Sequence, residues 1–404
     1  MWIARRGPIG RVRGGAVIVP PVEPGDTLVH GASVQITALN GVPLSGMGTK
    51  AVSAPSWHDM QADPLDQAFG TPSLEGGGWP NWNTEVTGGL AYSSSNNVDY
   101  LREPYIVNTR TRGGPHCTQS LYQRYGWIAC PDGIVRTQYG QYVRLRELPD
   151  SRAWYISFYR RMELPEGSEA LTRDADGVIH GSRNWKPLGL FAYQAVDGTD
   201  YMQWRHDLYP CNGTGHTYFD FRGVDYTVMP NGYEWLYPAI VSGVMTQGVW
   251  QRHEYLVDIG TVGNHDWHAQ WWIDGVLQVD FKFADDPPTD DWSGTLLYDD
   301  HFRCIDINKY LAQETSDYAK KDLPIEFWLD DLYVDSDQAR VEIGNAATWV
   351  ACTHREIQPW TAWADGSVTV TVNHGALPHG TAYLYAIKPD GTPFDATGQP
   401  VTLG

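Results

Sequence analysis

The two ends of this chain carry strands of the same character, and a longer stretch of different β-structure lies between them. Near the start, Gly31-Ala32-Ser33-Val34-Gln35-Ile36-Thr37 alternates apolar and polar residues, and Gly46-Met47-Gly48-Thr49-Lys50 follows as a glycine turn. Near the end, Arg340-Val341-Glu342-Ile343-Gly344, then Trp363 to Val372, Ala382 to Ile387 and Val401-Thr402-Leu403 continue the pattern. If these strands form one unit, residues 56–338 are an insertion held at both ends, which fixes a guest domain more firmly than a single tether. The expected division is a basic arm over 1–24, a split unit over 25–55 and 339–404, and a central sandwich over 56–338. Such a split unit requires residues 31–37 to share a sheet with residues 366–403.

Composition points the same way. Among 404 residues, 42 glycines and 26 prolines with only 19% charged residues favour short strands joined by turns, and no long run of helical periodicity competes. The predicted fold class is all-β. A formal charge of −19 argues against nucleic acid, whose phosphates require a basic surface, and against anionic membranes. No apolar stretch approaches the roughly 18 residues of a membrane span, so no membrane insertion is expected.

The first residues break this acidic pattern. Arg5, Arg6, Arg11 and Arg13 precede any acid, the first being Glu23. A basic arm on an acidic chain suits docking on a second copy or on other subunits of an assembly. Ala16-Val17-Ile18-Val19-Pro20 is too short and interrupted for the apolar region of a signal peptide. Of the five cysteines, Cys117 and Cys130 bracket a short segment and could pair, and none has zinc-ligand spacing. No HExxH is present, and His265 and His268 flank a tryptophan in a predicted loop.

The central strands are legible from Ala153 onward, whereas residues 65–150 read as irregular. Ala153 to Met162 places apolar residues at two-residue spacing. Gly248 to Asp258 shows no obvious inward face. Trp271-Trp272-Ile273-Asp274-Gly275-Val276-Leu277 is a hairpin signal, since Asp-Gly suits a two-residue turn. Glu326 to Asp335 reads as the last strand of the insertion.

The terminal strands resemble an IPT/TIG immunoglobulin-like domain. The strand Val249–Asp258, the Trp272–Gly275 hairpin and the closing Asp330-Asp331-Leu332-Tyr333-Val334-Asp335 resemble the concanavalin A-like lectin/glucanase sandwich, a two-sheet jelly roll shared by lectins, glycosidases and polysaccharide lyases. The resemblance implies a sheet that meets a glycan through aromatic rings. From 18 tryptophans and 23 tyrosines, Trp204, Trp185, Trp235 and Trp271 are the candidates, Trp204 first because Arg205, His206 and Asp207 follow it. The alternative for each is a place in the core. It also implies a structural calcium, for which Asp330 or Asp331 with Asp59 would supply hard oxygen ligands.

No E-x-D-x-x-E pattern for a retaining glycosidase occurs, and Asp330 and Asp331 as strand neighbours would point to opposite faces. For β-elimination, an enzyme needs a cation for the uronate carboxylate, a base and an acid. Arg160, Lys186, Arg205, His206, Arg252, His253 and Tyr255 offer these types, with His206, Arg205 and Tyr201 the preferred set. The Q-x-H and Y-x-K-x-G-x-Y strands of alginate lyases of this fold are missing. The first expectation is therefore a non-enzymatic surface or structural protein with a glycan-recognition sandwich, extracellular or on a virion as a decoration or appendage subunit. The alternatives are a polysaccharide lyase acting on an acidic glycan and a secreted carbohydrate-binding adhesin.

Overall fold

The computed structural model describes residues 21–61, 82–86, 105–125, 127–129, 135–137, 141–146, 148–163, 183–191, 203–211, 214–222, 235–242, 246, 248–261, 264, 266–282, 302, 304–313 and 325–404. The arm residues Arg5, Arg6, Arg11 and Arg13, together with Tyr201 and Cys130, lie outside them. The fold is all-β, a jelly-roll sandwich of two large sheets with a smaller sandwich beside it.

One large sheet has eight strands. Ala153–Glu163 lies at its middle, between Trp250–Asp258 and Ile325–Asp335, and the hairpin His268–Ile273/Val276–Lys282 extends one side. Asp274 and Gly275 at the hairpin tip have φ of 50° and 76°, both in the left-handed region that a tight two-residue turn requires. The other large sheet has seven strands, in the order Trp235–Ser242, Thr214–Arg222, Gln203–Cys211, Arg183–Phe191, Cys304–Gln313, Gln141–Arg146 and Trp82–Val86. Between the sheets, Trp154, Ile156, Phe158, Tyr255, Trp271 and Leu329 meet Val143, Leu145, Leu188, Leu190, Ile305 and Ile307, all buried in one apolar cluster. At about 25 cal/mol per Å² of apolar surface, this burial is the main stabilising term.

The small sandwich joins both ends of the described chain. Ser33–Ile36 runs antiparallel to Ser367–Thr371, with Val34 opposite Val370, and Thr27–Leu28 runs parallel to Gln399–Leu403. Its sheets have three and five strands. Strands Arg340–Gly344 and Arg355–Gln358 of the five-stranded sheet lie over the outer face of the eight-stranded sheet. Strand Ala153–Glu163 is therefore buried almost continuously: Trp154, Ile156 and Phe158 face the inner core, while Tyr155, Ser157 and Tyr159 face the small sandwich.

That junction is polar and buried. The Arg252 guanidinium donates to both carboxylate oxygens of Glu342 at 2.8 and 3.0 Å and to Glu254 at 3.1 Å. Arg340 also reaches Glu342 and Glu254, and the Tyr155 hydroxyl donates to Glu254. Nearby, the Lys50 ammonium pairs with Asp335 at 2.7 Å, and Asp335 accepts from Tyr333 and Trp360. Buried charges of this kind persist only when every partner is in place.

Candidate functional site

Directly opposite residues in an antiparallel pair share one face of a sheet, so the register sorts the seven-stranded sheet into rows. Two rows belong to the core: Leu145, Ile305 and Leu190 continue to Trp82 on one side and Trp204 and Phe221 on the other, and Val143, Ile307 and Leu188 continue to His206 and Phe219. The six aliphatic members are fully buried.

Between these rows lies one of opposite character, on the face turned away from the core. It runs Asn83, Arg144, Asp306, Gly189, Arg205, Asp220, Trp235, one position per strand across all seven. Two residues further along, Arg146, Cys304, Phe191, Gln203 and Arg222 form the next row of this face. Four arginine positions thus lie on one sheet face of a chain whose net charge is −19. By the two-residue period Tyr142 shares the face with Arg144, and Tyr218, opposite Asp207, shares it with Asp220. Asp306 is buried there. Arginine is the side chain best matched to planar oxyanions, through bidentate hydrogen bonds.

The candidates read from sequence divide accordingly. Arg205 and Trp235 occupy the polar row. Trp204 and His206 occupy core rows, so neither position suits a ring or base meeting a glycan on the polar face. Trp185 stands opposite Leu208 and Leu311 beyond a β-bulge. Trp271 is fully buried, with its ring 6.0 Å from His253 and from Tyr255; it fills the core instead of stacking on a sugar. Arg160, His253 and Tyr255 are buried in the same layer, where the Arg160 guanidinium meets His253 at 2.7 Å and burial lowers its pKa to about 9. Arg252 faces the other way, into the junction with Glu342. The missed residues are Arg144, Arg146, Asp220, Arg222 and Asp306. Their signal was the alternation Tyr142-Val143-Arg144-Leu145-Arg146, inside a segment that reads as irregular.

Asp330 and Asp331 do not face opposite sides. The strand carries one extra residue there, as Ser157 pairs with Tyr333 but Tyr159 with Asp330, and Asp331 has φ of 48°. This β-bulge turns both carboxylates onto the outer face. Both meet one guanidinium: Arg112 donates to Asp330 at 2.9 Å and to Asp331, and also to Glu356 at 2.8 Å. The Tyr159 ring lies 3.8 Å from that guanidinium, and Arg112 also donates to Cys117, a buried free thiol. Burial, with three carboxylates around one cation, pushes the Asp330 pKa up to about 6 and that of Asp331 up as well. Asp59 accepts from the Gln61 backbone amide. A calcium ion seeking six to eight oxygens would have to displace Arg112, so this donor set does not fit it.

No protein-family model matches the sequence, and neither does any curated protein. Among solved structures, the chain is similar to the alginate lyase Aly36B (14% identity, 70% of this chain and 98% of that one, TM-score 0.39). It is also similar to an endo-β-1,4-glucuronan lyase from the fungus Trichoderma reesei (12%, 71% and 96%, TM-score 0.38) and to the catalytic domain of an endo-1,3-β-glucanase from Thermotoga petrophila (12%, 70% and 100%, TM-score 0.38). At these values the likeness goes no further than the sandwich fold. These neighbours are named as polysaccharide-cleaving enzymes, a finding that runs against the expectation of a non-enzymatic assembly subunit.

Proposed function

We propose that this chain cleaves an acidic polysaccharide by β-elimination on the outward face of its seven-stranded sheet. The observation that carries the reading is the pair of adjacent rows holding Arg144, Arg146, Arg205 and Arg222. An acidic protein repels a polyanion unless a local concentration of cations attracts it. Within the main row, Arg144 and Arg205 flank the positions of Asp306 and Gly189.

The chemistry follows from those residue types. A guanidinium bound to the uronate carboxylate stabilises the carbanion-like charge that develops when the C5 proton leaves. Tyr142 and Tyr218, on the same face, are the groups suited to accept that proton and to protonate O4. The C5–H and C4–O4 bonds break, a C4=C5 double bond forms, and no water is consumed. Arg205 stays in the scheme, whereas His206, in a core row, leaves it.

The test is incubation of the full chain with polymannuronate, polyguluronate and polyglucuronate, with a neutral β-glucan as control. Ultraviolet absorbance of the unsaturated product should rise with at least one uronate polymer. Release of reducing ends from the neutral glucan alone would replace the lyase with a hydrolase, and retention of a uronate polymer without cleavage would replace it with a binding module.

A further inference from the structure

The fold gathers histidines that are far apart in sequence. His30 follows the strand Thr27–Leu28, His116 sits in the loop 108–119 of the central sandwich, and His374 and His379 lie in the loop after Ser367–Thr371. The His30 and His116 rings stack at 4.1 Å, His374 stands edge-on at 5.5 Å from His30 and 5.0 Å from His116, and His379 is 5.9 Å from His116. One ring nitrogen from each of His30, His116 and His374 lies within 4.8 Å of the others.

The remaining ring nitrogens make this more than crowding. His374 Nε2 donates to the Leu28 carbonyl at 3.1 Å, which leaves Nδ1 as the lone-pair nitrogen, buried and without a hydrogen-bond partner. His116 Nε2 is likewise buried without a partner. His30 Nδ1 accepts from the His374 backbone amide at 3.2 Å, so Nε2 is its other nitrogen. Two unsatisfied buried imidazole nitrogens beside a third ring are costly unless something binds them. Donation of a ligand's second nitrogen to a backbone carbonyl is the arrangement that orients histidine toward a metal.

We propose that His30, His116 and His374 bind one divalent transition-metal ion of the zinc class. With Zn–N near 2.0–2.1 Å, tetrahedral ligand nitrogens stand about 3.4 Å apart, so closing the cluster takes ring movements on the order of 1 Å. The ion ties the small sandwich, through His30 and His374, to the central one, through His116. The surrounding loops are already apposed: Gly114 packs so closely on the Ala376 backbone that a Cβ there would sit 2.7 Å from its carbonyl oxygen. His379 stands beside the cluster, its ring 5.9 Å from that of His116 and 6.1 Å from that of His374. Burial keeps all three rings below the ordinary histidine pKa, His374 at about 4, in the neutral form that a metal needs.

The experiment titrates Zn²⁺ into the untagged full chain after chelator treatment and dialysis, read by calorimetry, with Co²⁺ as a spectroscopic substitute. The expected result is saturable uptake of one ion per chain, a raised Tm and the visible spectrum of tetrahedral cobalt. His30→Gln and His116→Gln should each weaken binding by more than the roughly 10–100-fold that loss of an outer-shell partner costs. His268→Gln, in the remote His268–Asp280 pair, should leave it unchanged. Absence of saturable binding to the folded wild-type chain, or unchanged affinity in both variants, would overturn the proposal. Should a variant misfold, protection of the wild-type histidines from diethyl pyrocarbonate by Zn²⁺ decides the matter, unprotected rings counting against it.

Discussion

Asp330 and Asp331 are chain neighbours whose carboxylates converge on a single guanidinium, that of Arg112, because a β-bulge lets both leave the strand on the same side. Arg112 belongs to the loop that carries His116, and its third partner, Glu356, belongs to the small sandwich. One buried cation thus joins the bulge, the loop and the second domain. Replacing it with the apolar Arg112→Met leaves three buried carboxylates without their cation, and the loss of stability should be about 3–5 kcal/mol, read by chemical denaturation.

The same cluster makes stability depend on pH in two opposite ways. Burial pushes the Asp330 carboxyl from 3.8 up to about 6, so over that interval the folded chain keeps a proton that the unfolded chain releases. Stability contributed by this group therefore falls as pH rises from about 4 to 6. Glu356 is also buried, but Arg112 and His354 outweigh that burial and hold its pKa at about 2, below 4.5. Its contribution is complete above about 4.5 and is lost as pH falls toward 2. Denaturation of the wild type, Asp330→Asn and Glu356→Gln across pH 2–7 checks both: the first variant should lack the decline between 4 and 6, the second the loss below 4.5.

The junction network makes a different prediction. Glu342 accepts from Arg252 and Arg340 at full burial, and burial alone would raise its pKa, but the surrounding guanidiniums lower it. Glu342→Gln leaves Arg252 and Arg340 short of a counter-charge, and the expected cost is about 3–5 kcal/mol. The two sandwiches should still unfold in one transition in the wild type, and a second transition should emerge in the variant on calorimetry. An unchanged single transition at the wild-type Tm would show that the network does not couple the domains.

On the polar sheet face, Arg144→Ala and Arg205→Ala each remove a charged hydrogen-bonding group, worth about 1.5–3 kcal/mol, or roughly 10- to 100-fold, in binding a uronate. Neither should lower Tm by more than a degree or two if its work is on the ligand. Affinity electrophoresis in polyuronate gels, together with thermal melts, separates that outcome from a structural role.

Much of this architecture is legible in the sequence where one face of a strand is buried and the other is not. The Asp274-Gly275 hairpin is of that kind: its residue types demand the positive φ values found there. Strand Trp250–Asp258 defeats pattern reading for a physical reason, since both its faces are covered, one by the core with His253 and Tyr255, the other by the small sandwich at Arg252 and Glu254. Each face mixes polar and apolar residues, Gln251 and His253 with Tyr255 and Val257 on one and Arg252 and Glu254 with Leu256 on the other, and neither face is exposed. Alternation likewise misplaces Asp331, because one extra residue in the bulge reverses the period. Aromatic content cannot separate Trp271 in the core from a platform on the surface, as both settings favour large rings. The histidine cluster is invisible in one dimension: His30 and His374 meet only because the two ends of the chain share a sandwich.

Gly113 and Gly114 allow a test of how the His116 loop is held. Both have φ of 82°, but a Cβ on Gly113 meets nothing within 4 Å, whereas one on Gly114 would lie 2.7 Å from the Ala376 carbonyl oxygen. Gly113→Ala should cost only the left-handed conformation, about 1–2 kcal/mol. Gly114→Ala carries the same conformational cost and must also push apart two backbones, which cannot rotate away as a side chain could. Its Tm should fall further, and Zn²⁺ uptake should weaken with it, since the displaced loop holds His116 against His30 and His374. Equal losses in the two variants would mean that the approach to Ala376 contributes nothing to holding the loop.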